Sequence, residues 1–387
     1  MSRRLEPTAV VGVGYAPTAL RGGPGKEQLT LQACRAALHD AGLHPEDVDG
    51  LFQSRFGPES PDTLTAARLL GIPDLTAYQD LETTGPSGLS GPMAAAMAVA
   101  SGACEVALAY RCMSAEAGYH GGTSRGPTEI TGREQFTAPY GNSTNKSILV
   151  SMAMRKQRRM AEYGTTQEHY GYLAVNARRW AAMNDRALFR EPLTLEDYLA
   201  SRIVVDPLLL LDCDRPVNGA SAVVITSPAR ARDLRNTPVM IESLAYGTGR
   251  NPDWMFEDDQ VFGATIDCAR TLWRRSDLRP DGIDCAQLYD GFTHITLSWI
   301  EALGFCALGE YGDWVAGGKT IGPGGSLPLN TAGGHLGEGR LHGLTLLIEA
   351  VLQLRGQAGL RQVPGARTSV VANSYGPQVG AMTLTTA

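Results

Sequence analysis

The second half of the chain concentrates the residue types that move protons. Tyr289 and Asp290 are adjacent, His294 follows within five residues of Tyr289, Arg340 and His342 are two apart, and Tyr375 lies near the end. Tyrosine, histidine and carboxylate side chains are the usual carriers in general acid–base catalysis. A phenol with a pKa near ~10 needs a neighbouring positive charge to act as a base at neutral pH, and Arg340 could supply one. Each residue also has a plain structural alternative. Tyr289 could be a core tyrosine with a bonded hydroxyl, His294 a packing residue, Asp290 a helix cap and His342 a cap for the last helix. Arg340 could bind a phosphate or a surface carboxylate. The remaining histidines, His39, His44, His120, His169 and His335, join no constellation and read mostly as surface or loop residues.

Several other chemistries are excluded or unsupported. The seven cysteines, Cys34, Cys104, Cys112, Cys213, Cys268, Cys285 and Cys306, form no CxxC pair and are irregularly spaced, so thiols are expected. The seven histidines show no HExxH or paired-ligand spacing, so no metal is expected. Net charge is −6 with no long basic run, which argues against a nucleic-acid groove. The turn at Gly12-Val13-Gly14-Tyr15 lacks the third glycine of a dinucleotide fingerprint, and Ser87, followed by Gly88 and Leu89, makes no nucleophile elbow. The apolar stretch near the N-terminus is too short for a signal peptide or a membrane span, and a cytosolic protein is expected.

These residues must be positioned by two similar halves. With 387 residues, 43% of them hydrophobic and 19% charged, the chain can form two α/β lobes with separate cores. One block runs from an apolar β segment at Thr8–Val13 through a helical pattern into HPEDVDGLF. A second runs from PVMIESLAYG through a helical pattern into RPDGIDCAQLY. Each is followed by a glycine-rich loop, a helix and a β run. In the first half the helix, Ala94–Ala100, is small and apolar throughout, as for a helix buried on every side. In the second, Leu344, Leu347, Ile348, Val351 and Leu354 form one apolar stripe. Between the halves, roughly 114–215, composition turns polar and basic. Thr194 and Asp197 there have capping-box spacing, and the segment reads as an inserted loop domain covering the site.

Five segments together resemble the thiolase superfamily, in its sterol-carrier-protein-X/lipid-transfer branch. They are VVGVGYAPT, AGLHPEDVDGLF, PLTLEDYLASRIVVDPLLLLDCDRPVNGASAVVITS, AQLYDGFT…LGFC and LPLNTAGGHLGEGRLHG…EAVLQLRG. The resemblance implies an α/β thiolase fold, with duplicated βαβαβαββ halves in a five-layer α-β-α-β-α arrangement. Residues 1–113 and 216–240 would form the first half, 114–215 the loop domain and 241–387 the second half. It also implies a homodimer, a CoA thioester substrate and no cofactor bound in this chain.

The departures from the family pattern set the chemistry. Thiolases carry a nucleophilic cysteine at the tip of the first glycine-rich loop; that position falls at Gly85 here, with neither Pro86 nor Ser87 a substitute. Arg340 replaces the histidine of the family's Gly-His-Pro element, with His342 two residues on. Tyr289-Asp290-Gly291-Phe292 stands for the Asn-Glu-Ala-Phe or His-Asp-Cys-Phe element, and Ser374-Tyr375-Gly376 for the C-terminal Cys-x-Gly. A thioester pocket without a nucleophile suits retro-aldol cleavage of a β-hydroxyacyl-CoA, in which hydrogen-bond donors hold the leaving enolate.

Thiolase-like steroid side-chain aldolases share the tyrosine motif. They release a short acyl-CoA such as propionyl-CoA or acetyl-CoA, and work with a partner that carries a zinc ribbon and an OB-fold (domain of unknown function thirty-five). By that resemblance Tyr289 is the acid/base, His294 or His342 a second proton carrier, Asp290 the residue orienting one of them, and Tyr375 a reserve tyrosine. Arg340, Asn330, Gly333, Gly334, Gly85 and Ser87 would line the thioester and CoA site. Two alternatives stand beside this reading: an acyltransferase with an atypical site, and a non-catalytic lipid or acyl-CoA binding protein.

Overall fold

The computed structural model describes residues 6–55, 57–82, 87–114, 148–250 and 259–387. The first half comprises β1 (Thr8–Tyr15), α1 (Lys26–Ala41), β2 (Gly50–Arg55), α2 (Thr63–Leu70), β3 (Ala77–Glu82), α3 (Ser87–Ala100) and β4 (Val106–Met113). The inserted segment supplies α4 (Ile148–Tyr163), α5 (Gln167–Ala181), α6 (Leu195–Leu199) and the short pair β5 (Ile203–Val205) and β6 (Leu208–Leu209). Then come β7 (Gly219–Thr226), β8 (Val239–Thr248), α7 (Thr265–Arg275), β9 (Cys285–Leu288), α8 (Thr293–Ala302), α9 (Gly334–Glu338), α10 (Leu344–Leu354), β10 (Thr368–Asn373) and β11 (Gln378–Thr386).

Strand pairing shows the duplication directly. β2 is parallel to β3 and β4, β4 is antiparallel to β7, and β7 is antiparallel to β1. In the second half β9 is parallel to β10 and to a single bridge at Leu329, β10 is antiparallel to β11, and β11 is antiparallel to β8. The two repeated turns, Pro45–Asp47 and Pro280–Gly282, both form single 3₁₀ turns leading into β2 and β9. The two sheets are joined: β1 and β8 pair over Thr8–Val10, so nine described strands make one ladder in the order β3-β2-β4-β7-β1-β8-β11-β10-β9.

Layering follows from burial. Helices α1 and α2 share an apolar cluster with the outer face of the first sheet, and α7 and α8 do so with the outer face of the second. Helices α3 and α10 share the central cluster, with strands of both sheets around them. This is the five-layer arrangement expected of a thiolase fold. Two details differ from the pattern in the sequence. Helix α10 is buried on nearly every side rather than along one stripe, because it has a sheet on each flank. Its polar residues are paired accordingly, with Glu349 bound to Arg361 and to Thr331. Helix α3 is buried along most of its length, but Met97 is exposed where the helix leaves the sandwich.

Two buried carboxylates rivet the inserted segment to the second half: Glu301 of α8, bound by Arg159 of α4 (2.6 Å), and Asp212 of the insertion itself. Asp212 accepts from Lys156 Nζ (2.6 Å) on α4, from the Tyr198 hydroxyl (2.7 Å) on α6, from the Leu209 N–H (2.8 Å), and from the Thr293 hydroxyl at the first residue of α8. Thr194 caps α6 as its spacing with Asp197 predicted. Burial lowers the Lys156 pKa, and Asp212 holds it up. Substituting Asp212→Asn would leave that ammonium without its counter-charge, and breaking a buried pair in this way costs about 3–5 kcal/mol. A clearly lowered thermal midpoint is expected for the variant; a wild-type melting curve would show that Asp212 does not hold the insertion in place.

Candidate active site

The site grows from the end of β9. Asn330, with φ +51°, turns its amide onto the strand: Oδ1 accepts from Leu288 N–H (2.7 Å) and Nδ2 donates to Leu288 O (2.8 Å). Its amide therefore fixes the residue preceding Tyr289 and is not directed at a thioester. Asp290, buried, accepts from the His335 N–H (2.8 Å), the Leu336 N–H (3.2 Å) and His335 Nδ1 (3.1 Å). It caps the first turn of α9. Gly334 is needed for this approach, since a Cβ there would lie 2.1 Å from Asp290 Oδ2. At Gly333 (φ +98°) a Cβ would meet that of Ala181 at 2.7 Å, so it is the close passage of α5 that excludes a side chain. Asn176 and Asn184, from α5 and the turn after it, bind the carbonyls of Leu329 and Ala332 and hold this loop down.

Asp290 therefore orients neither His294 nor His342 but His335, and His335 is not a loop histidine: it is fully buried. Its Nε2 accepts from the Gly343 N–H (3.0 Å), so Nε2 carries the lone pair and Nδ1 the proton donated to Asp290. The ring packs edge-on to Tyr289 with centroids 5.0 Å apart. Nothing in the sequence sets His335 apart; its partners are 45 residues upstream and 8 downstream.

His342 sits beside this group in a left-handed conformation, φ +56°, with its carbonyl held by Asn373 Nδ2 (2.8 Å). Its Nδ1 lies 2.7 Å from Arg111 Nη2. A guanidinium has no acceptor, so Nδ1 carries the lone pair and the proton is on Nε2. Arg111, on β4, is itself fixed by Ser54 O and by Glu59. Burial, then Arg111, Arg340 and His335, hold the His342 pKa well below the usual histidine range, so the ring is neutral. The His342 carbonyl lies so close to Gly88 that a Cβ there would meet it at 1.8 Å. The start of α3 is thus seated on the Arg340–His342 loop. Gly85 lies outside the described residues, as does the side chain of Ser87.

Arg340 is buried rather than offered to a phosphate. Its Nη1 lies 3.2 Å from Asp214 Oδ1, and its backbone N–H binds Arg215 O. Nor does it make Tyr289 a ready base. Burial drives the phenol far above its ordinary value, Asp214 adds to the rise, and Arg340 only partly offsets both. The ring folds over Gly291, where a Cβ would come 2.7 Å from the phenol oxygen. His294 and Tyr375 form a second pair, with His294 Nε2 3.0 Å from the Tyr375 hydroxyl, which also donates to Val261 O (2.6 Å). Burial and then Arg159, Arg155 and Lys156 of α4 hold the His294 pKa well below its usual range.

Tyr289, Asp290, Arg340 and His342 are therefore gathered with Asp214, His335 and Arg111, while His294 and Tyr375 are bonded to each other. A cavity of about 60 Å³ lined by Cys213 and Leu336, neighbours of Asp214 and His335, opens between Arg178, Arg215 and Phe189. The arrangement can hand protons on and stabilise negative charge. It holds no activated thiol. Burial raises every cysteine of the chain, to about 12 for Cys104, Cys112, Cys285 and Cys306 and further for the others. Asp290→Ala would leave three donors around His335 unmatched. A loss of about 1–3 kcal/mol per unsatisfied buried group, read as a lower unfolding midpoint together with loss of the Nδ1–H tautomer of His335 by nitrogen NMR, is expected. An unchanged tautomer signal would contradict this account of the site.

The profile of the "Thiolase C-terminal domain-like" family matches residues 252–385. A Mycobacterium tuberculosis protein, 17-hydroxy-3-oxo-4-pregnene-20-carboxyl-CoA lyase, is 38% identical over 363 residues, covering 90% of this chain and 91% of that protein. A steroid side-chain-cleaving aldolase of Thermomonospora curvata is 37% identical, covering 94% and 93%. Among solved structures, an Ltp2-ChsH2(DUF35) aldolase superposes with a TM-score of 0.90 at 34% identity, covering 99% of both chains. With the same duplicated sandwich and these relatives over nine-tenths of its length, this chain belongs to the thiolase superfamily, in the sterol-carrier branch that contains the steroid side-chain aldolases.

Proposed function

We propose that the chain is a carbon–carbon lyase that cleaves a β-hydroxyacyl-CoA by a retro-aldol reaction, with the acyl group a steroid side chain and a short acyl-CoA as product. The observation that carries this is the buried cluster around Tyr289, which contains proton donors and acceptors but no thiolate. Removing the β-hydroxyl proton lets the Cα–Cβ bond break, the alcohol carbon becomes a carbonyl, and the electron pair is left as a thioester enolate. Tyr289, protonated across the neutral range because its pKa is raised, is the acid that returns a proton to Cα. His342, fixed as its Nε2–H tautomer next to the start of α3, is the second proton-bearing group. Arg178 and Arg215 line the small cavity beside this cluster and are the cations assigned to the phosphates of the CoA.

The chain acts with a zinc-ribbon/OB-fold partner of the DUF35 kind, a reading supported by the similarity to an Ltp2-ChsH2(DUF35) aldolase. A homodimer would use the half-exposed edge strand β3, where Tyr78 is solvent-facing. Residues 148–215, the described part of the inserted segment 114–215, serve as the cover of the site. Free thiols and a CoA thioester substrate fit the cytoplasm, and among the described residues no helix is long and apolar enough to cross a membrane.

A second reading, acyl transfer, rests on Cys213, which is among the residues lining the cavity. Its thiol faces Leu209 O at 3.6 Å, and burial, Asp212 and Asp214 all hold it protonated. In co-expressed complex supplied with 17-hydroxy-3-oxo-4-pregnene-20-carboxyl-CoA, Tyr289→Phe is expected to lower kcat by about 100-fold or more, and mass spectrometry to find no acyl-enzyme. Wild-type turnover by the variant would remove Tyr289 from the mechanism, and an adduct on Cys213 would favour acyl transfer.

A further inference from the structure

With Tyr289 as the acid, the proton of the substrate's β-hydroxyl needs a recipient, and the described residues narrow the choice. His335 has both ring nitrogens engaged, by Asp290 and by the Gly343 N–H. Asp290 is committed to the first turn of α9 and to His335. The ring nitrogen of His342 that carries the lone pair faces Arg111, and His294 belongs to the Tyr375 pair.

Asp214 is different. It lies just ahead of β7, with its N–H donated to Gly291 O (3.1 Å), so its backbone is tied to the Tyr289-Asp290-Gly291 turn. Oδ1 lies 3.2 Å from Arg340 Nη1. Oδ2 is buried and receives no hydrogen bond from any described residue. An acceptor oxygen left open in a buried, polar site is a costly arrangement unless something else arrives to use it.

We infer that Asp214 is the general base of the reaction, taking the β-hydroxyl proton of the substrate on Oδ2 while Arg340 holds Oδ1. This rests on the retro-aldol reading above. The O–H bond breaks and its electron pair becomes the π bond of the new carbonyl. The Cα–Cβ pair moves into the thioester enolate, Tyr289 gives its proton to Cα, and the proton on Asp214 passes to the Tyr289 phenolate. No oxidant or second substrate is consumed, and the enzyme ends as it began. The groups around Asp214 set its basicity. Burial raises its carboxyl to about 6, Arg340 and then His335 pull it down, and Asp290 pushes it up; Tyr289 and Cys213 stay protonated beside it. The carboxylate is thus ionised at neutral pH yet more basic than an ordinary one.

The test compares wild type and Asp214→Asn, each purified with its partner, for cleavage of 17-hydroxy-3-oxo-4-pregnene-20-carboxyl-CoA between pH 5 and 8. The wild-type kcat is expected to rise tenfold per pH unit below about 6 and to level off above it. The Asn variant should lose about 100-fold or more in kcat, the usual share of a general base, with KM little changed, and Asp214→Glu should recover part of the rate. If the Asn variant does not fold, the wild-type profile decides alone. A flat profile, or an Asn variant with wild-type kcat, overturns the role of Asp214 while leaving the lyase reading intact. A wild type that cleaves nothing sinks the lyase reading and this inference together.

Discussion

The site depends on one buried carboxylate being satisfied. Asp290 has its oxygens filled by two backbone N–H groups at the start of α9 and by the His335 ring. Because a buried carboxylate without partners is strongly unfavourable, this requirement fixes three things at once. It sets the distance between the end of β9 and α9, forces Gly334 to lack a side chain, and chooses the tautomer of His335. His335 then passes the constraint on by accepting the Gly343 N–H, which anchors the start of α10. Tyr289, Arg340 and His342 are the neighbours of this chain of bonds, so their positions follow from it.

Charge in the cluster is arranged in pairs around neutral proton carriers. Arg111 is matched by Glu59, and Arg340 by Asp214. Burial and then the two guanidiniums depress the His342 pKa, and burial raises that of Tyr289, so both carry a proton they can donate without first being charged. A thiolase needs the opposite, a sulfur made anionic by its surroundings. Here burial keeps all the thiols protonated, and the positive groups that could have stabilised a thiolate are taken by carboxylates. The same sandwich thus favours stabilising an enolate over forming a covalent intermediate.

Much of the fold was legible in the sequence because the duplicated elements keep their order and their punctuation. The two 3₁₀ turns at Pro45 and Pro280 and the cap at Thr194 are local, and local signals are written in adjacent residues. The cluster of Tyr289, Asp290, Arg340 and His342 was legible through the family motifs. The partners were not. His335 and Asp214 resemble ordinary loop residues in a glycine-rich stretch and a turn, and join the cluster only when β9, α9 and the segment before β7 meet. What Asn330, Gly333 and Gly334 contact was hidden for a related reason. Glycine and asparagine in such loops suggest room for a ligand, but the room is taken by Asp290, Ala181 and the Leu288 backbone. Burial on both flanks, which makes α10 apolar nearly all round, is likewise a property of the assembled sandwich and not of one helix's period.

The position of the chemistry follows from the same sandwich. Each half brings the C-terminal end of a parallel strand toward the middle layer: β9 delivers Tyr289, and Arg111 near the end of β4 delivers its guanidinium from the opposite sheet. Helices α3 and α10 fill the middle, so apart from the β1–β8 pairing the loops of the two halves meet where those helices begin. There the chain has no bulk: Gly88 touches the carbonyl of His342, and Gly343 caps α10 with φ +101°. A side chain at Gly88 would strike the His342 carbonyl and push one half off the other, and one at Gly343 would strike Asn373, which holds that carbonyl. A cluster built from both repeats therefore forms where the central helices start, with Arg111 of one half held against His342 of the other.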